Sequence, residues 1–86
     1  MIYLTNDELD QGVYFELRKR EPLRKGGVEE RFYGVLGNGV NELPVTVKSR
    51  RDCVEMAFGK GELFSFVEER TIRRMLGEVV RELAHI

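Results

Sequence analysis

The sequence is short of the residues that usually carry catalysis or covalent bracing. It holds one cysteine (Cys53), one histidine (His85), two prolines and no tryptophan. A lone cysteine forms no internal disulfide and no cysteine-based metal cluster within one chain. It favours a reducing, cytoplasmic setting. With His85 as the sole imidazole, no Ser-His-acid or Cys-His constellation can be assembled, so an enzyme is not expected. No apolar run approaches the roughly 18 residues of a membrane span, and "MIYLTNDELD" lacks the pattern of a signal peptide. A membrane is therefore not an expected partner. Glutamine and serine are also scarce beside abundant glutamate and arginine, a usage that resembles thermophilic proteins.

What remains is enough for one small folded domain. The chain has 86 residues, of which 42% are hydrophobic and 34% charged, with a formal net charge of −1. A chain of this size buries about 60–65% of its unfolded surface, so one core forms and a second does not. The near-neutral balance excludes a global positive field for polyanions, leaving only local patches.

Apolar spacing divides the chain. In "RTIRRMLGEVVRELAHI", Ile72, Met75, Leu76, Val79, Val80, Leu83 and Ile86 recur at intervals of three and four, one stripe of an amphipathic helix. Thr71 is placed to cap it, and Gly77 either weakens it or permits close packing. "GVYFELRKRE" alternates Val13, Phe15 and Leu17 with polar partners, the period of a half-buried strand. "RFYGVLGNG" and "ELPVTVKS" continue as strands joined at "GNG", whose glycines and Asn38 suit positive φ. Pro44 belongs at the start or edge of its strand. "SRRDCVEMAFG" resembles a short helix capped by Ser49 and ended by Gly59, with a 53–58/62–68 hairpin as the alternative. The aromatic "ELFSFVEE" suggests a strand, and "TNDELDQG" a short helix with Thr5 and Glu8 as a capping box. The expected fold is a single α+β domain over 1–86: an antiparallel sheet of about four or five strands packed by the C-terminal helix, with one or two short helices.

Three stretches are candidate sites. "ELRKREPLRKGG" contains Arg18, Lys19, Arg20, Arg24 and Lys25, a phosphate-binding candidate with Tyr14, Phe32 and Tyr33 on adjoining strands. The simplest account is a solvated hairpin end whose charges keep a sheet from pairing with neighbours, with Arg18 and Arg20 on one face and Lys19 on the other. "KSRRD" combines Lys48, Ser49, Arg50 and Arg51 at an expected helix start, a combination that suits an anion. "NDELD" offers Asn6, Asp7 and Asp10 as oxygen ligands for a divalent cation, without the spacing of an EF-hand. Cys53 falls on an expected apolar face as a small buried hydrophobe, although Arg50 and Arg51 lie close enough to activate an exposed thiol. No cofactor motif is present, and the glycines of "GVLGNGV" do not match a phosphate-binding loop. One helix on one sheet face leaves the other face open, with Tyr14 and Tyr33 on it. The expected function is a non-enzymatic protein-interaction module, with a protein partner or a second copy of the chain bound. Nucleic-acid or phosphate binding is the alternative, and divalent-cation binding the third.

Overall fold

The computed structural model describes residues 2–4, 12–65 and 68–84. Five strands, β1 (Ile2–Leu4), β2 (Val13–Pro22), β3 (Glu30–Gly37), β4 (Glu42–Ser49) and β5 (Val54–Phe58), form one antiparallel sheet in chain order. A 3-10 turn at Leu63–Ser65 leads to the helix α1 (Glu69–Ala84). This is the expected α+β architecture of sheet and C-terminal helix.

The period-two pattern puts Phe15, Phe32, Leu36, Leu43, Val45 and Val47 on one face of the sheet. There α1 lies across β4 and toward β1, burying Ile72, Leu76 and Val80, with Met75, Val79 and Leu83 at the margin of the core. Each fully buried large apolar side chain contributes about 1.5–3 kcal/mol. Gly34 sits in this layer for a steric reason. A Cβ there would lie 2.5 Å from both the Glu16 carbonyl oxygen and the Phe15 ring.

Several local expectations are corrected. Residues 50–53 form a hairpin turn rather than a helix start, and β5 pairs with β4 in the register Ser49↔Val54 to Val45↔Phe58. Ser49 is thus a buried strand residue, not a helix cap. The alternative is right that this segment is extended, as β5, but its partner is β4, and Leu63–Ser65 of "ELFSFVEE" form a 3-10 turn where a strand is expected. The helix begins before Thr71: the Ile72 amide donates to the Glu68 carbonyl at 3.2 Å, so Thr71 lies inside the first turn. At "GNG" only Gly39 has positive φ, 95°, while Asn38 accepts the Val40 and Asn41 amides through Oδ1 at 3.0 and 2.8 Å. Pro44 occupies a tolerated position. Its carbonyl accepts the Gly59 amide at 2.8 Å, so its missing donor points where β5 has already ended. The proposed Thr5–Glu8 helix falls outside the described residues.

Candidate binding groove beside strand β5

The basic hairpin divides into residues with different tasks. A bulge between Leu17 and Lys19 shifts the register, pairing Lys19 with Tyr33 and Arg20 with Phe32. One extra residue reverses the alternation. Arg20 therefore turns to the helix side and Lys19 to the open side, contrary to the face assignment expected for Arg18 and Arg20. Arg20 Nε and Nη2 donate to both Glu30 carboxylate oxygens at 2.8 Å, and Nη2 also reaches the Leu83 carbonyl at 3.0 Å. Its guanidinium lies 5.2 Å from the Phe32 ring centroid. The Glu30 hydrogen bonds raise its pKa against the opposing effect of burial. Arg20 thus ties the sheet to the last turn of α1. Arg18 pairs with Glu16 at 3.3 Å, and Arg24 and Lys25 occupy the exposed tip, where Gly27 N–H donates to the Arg24 carbonyl. The four side chains do not form one cradle.

The "KSRRD" cluster is also dispersed. Lys48 lies on the sheet face opposite the helix, Ser49 points into the core, and Arg50 Nε donates to Glu55 at 3.0 Å. The Glu55 hydrogen bond raises the Arg50 pKa. The Arg51 amide donates to Glu29 at 3.3 Å, and its side chain carries no ion pair among the described residues. Without a helix here, there is no helix dipole to attract an anion. The candidate metal ligands Asn6, Asp7 and Asp10 lie outside the described residues. Among those described, no three His, Cys, Asp or Glu side chains are grouped to hold a metal ion.

The sheet face opposite α1 carries all three tyrosines. Tyr3 and Tyr14 meet edge to face with centroids 6.4 Å apart, and Tyr14 lies over Gly37, where a Cβ would come within 2.5 Å of its hydroxyl. Burial, followed by the charges of Glu42 and Glu16, pushes the Tyr14 phenol up. Tyr33 donates to Glu21 at 3.0 Å and lies beneath Lys19, whose nitrogen is 5.7 Å from the ring centroid. The Tyr33 hydrogen bond, reinforced by Lys19, holds the Glu21 carboxyl below the usual range. Lys19 and Arg31 both pair with this same Glu21 carboxylate.

The distinctive opening lies on the other side, between β5 and α1. Hydrogen bonds from Arg50 N–H to the Cys53 carbonyl and from Gly59 N–H to the Pro44 carbonyl set the parity of the β4–β5 ladder. In an antiparallel pair, bonded and unbonded residues alternate, so Val54, Met56 and Phe58 direct their N–H and C=O groups away from β4. These groups line an edge with no partner strand among the described residues. Two adjoining grooves, of about 430 and 490 Å³, follow the edge and share Asp52, Cys53, Val54 and Arg81. Arg73, Arg74, Gly77 and Glu78 of α1 form the far wall. Arg73 stands 4.8 Å over the Phe58 ring and pairs with Glu69, and a Cβ at Gly77 would reach Met56 Cε at 3.5 Å.

Cys53 is exposed in this groove, correcting its assignment to the core. Local sequence patterns missed the site because its walls come from segments some twenty residues apart, joined only by tertiary packing. The sequence clue was the exposed arginine set of α1 together with "RRDC". No helix among the described residues is long and apolar enough to cross a membrane. In comparison with known proteins, the chain matches no family model, no curated protein and no solved structure.

Proposed function

We propose that this chain is a non-enzymatic protein-interaction module that accepts an extended segment of a partner along β5. The observation carrying this reading is the outward set of Val54, Met56 and Phe58 backbone groups beside a groove. A free strand edge supplies a template of donors and acceptors, and side-chain pockets beside it supply selectivity. The groove's described lining consists mainly of arginines and aliphatic side chains with one thiol, a set suited to grip. Cytoplasmic residence is part of this proposal and suits an exposed, unpaired cysteine.

Nucleic-acid binding through the hairpin and the Ser49–Arg51 segment receives less support. Arg18, Arg20 and Arg50 are engaged by carboxylates, and the expected helix start is a turn. The test is selection from a random peptide library displayed on phage, using wild type and Met56→Pro in parallel. Proline at 56 removes an outward donor that β4 does not use. Peptides that bind wild type but not a folded Met56→Pro are expected. A library yielding no binders, or binders indifferent to Met56→Pro, contradicts strand addition.

A further inference from the structure

We infer that the segment received by β5 is acidic: an extended peptide presenting carboxylate side chains at alternate positions toward α1. This inference rests on strand addition at β5 and specifies the partner's chemistry. In a strand added beside β5, every second side chain points to the helix side of the sheet. Those side chains enter the space between Val54 or Met56 and the α1 wall. Arg73, Gly77 and Arg81 follow one another at intervals of four along that wall. The Met56 methyl packs over Gly77, so the wall presents an apolar floor between the two arginines.

The guanidinium groups of the groove differ in how they are engaged. The two grooves together are lined by five arginines (50, 51, 73, 74 and 81) and three acids (29, 52 and 78). Arg50 and Arg73 are held by Glu55 and Glu69. Arg51 and Arg81 have no ion pair among the described residues and line the same groove from the hairpin turn and the helix. A guanidinium matches a carboxylate through two parallel hydrogen bonds. A basic segment has no group to offer these two guanidinium ions, and a wholly apolar one would strip water from them without compensation.

The test uses a fluorescein-labelled peptide alternating glutamate and valine, with serine–valine and lysine–valine counterparts, read by fluorescence anisotropy at low and physiological salt. The glutamate peptide should bind best, lose affinity as salt rises, and slow alkylation of Cys53 by iodoacetamide. Arg81→Glu and Arg51→Glu, on exposed positions, should each weaken it about tenfold or more while leaving the circular dichroism spectrum unchanged. Met56→Pro should abolish binding of every peptide. If no peptide binds wild type, strand addition itself fails. If the serine peptide binds as tightly as the glutamate peptide, strand addition stands and the acidic specificity is wrong. A single-stranded oligonucleotide that protects Cys53 equally in wild type and Met56→Pro would reassign the groove to nucleic acid. Protection of Cys53 that rises with protein concentration alone would make the occupant a second copy. Either of these two outcomes overturns the inference.

Discussion

Arg20 distinguishes a structural charge from a surface charge within the same twelve-residue basic stretch. Replacing it with methionine keeps an apolar stem over Phe32 and removes three hydrogen bonds, two to Glu30 and one to the Leu83 carbonyl. Hydrogen bonds to charged groups contribute about 1.5–3 kcal/mol when well shielded. Here the Arg20 and Glu30 side chains remain 32% and 21% exposed, so solvent screening reduces that range. The interaction of a cation with the final turn of α1 contributes about 0.3–1 kcal/mol. The expected loss is about 2 kcal/mol, or roughly 10 °C in Tm for a domain of this size. The control replaces Arg18, Arg24 and Lys25 together with glutamine, which should leave Tm almost unchanged. Thermal and urea melts of both variants provide the comparison. A double-mutant cycle with Glu30→Gln should show coupling of about 1 kcal/mol or more. If Arg20→Met melts with wild type, or the triple variant falls as far, Arg20 does not join the sheet to the helix.

Leu76→Ala removes a fully buried side chain beneath the sheet and should destabilise by about 3 kcal/mol; coincident thermal melts would place Leu76 outside the core. Gly77→Ala should raise Tm, because a Cβ there meets Met56 at an ordinary 3.5 Å and alanine favours the helix by about 1 kcal/mol, whereas a fall would mean the helix sits closer to β5. Gly34→Ala should cost about 1–3 kcal/mol in urea unfolding, since the Glu16 carbonyl cannot retreat without opening the β2–β3 ladder. Because Glu21's pKa is lower in the folded than in the unfolded chain, its contribution is complete above the ordinary glutamate value and fades as pH falls through the folded one. Tyr33→Phe should flatten the fall of Tm in that acid range; an unchanged profile would remove Tyr33 as the main cause.

Long apolar periodicities made the fold legible. The three-and-four spacing from Ile72 to Leu83 specifies α1, and the alternation around Phe15, Phe32 and Val45 specifies the sheet. Short segments were ambiguous. "SRRDCVEMAFG" carries a plausible cap and a terminal glycine, yet Val54, Met56 and Phe58 also alternate, and pairing with β4 prevails over local capping. The bulge at Arg18 leaves no signature in the residue pattern, although it decides which face Arg20 occupies. The open groove was less visible still. Arg51 and Arg81 are thirty positions apart in sequence and acquire a shared role only when the hairpin turn and helix are brought together.

The openness of the β5 edge is tested most directly by amide hydrogen exchange in dilute protein without a ligand. Glu55 and Ala57 lie in bonded pairs with β4, so their amides should be protected, while those of Val54, Met56 and Phe58 should exchange rapidly. Slow exchange at Val54, Met56 and Phe58, independent of protein concentration, would show that the chain covers this edge itself and would contradict the account.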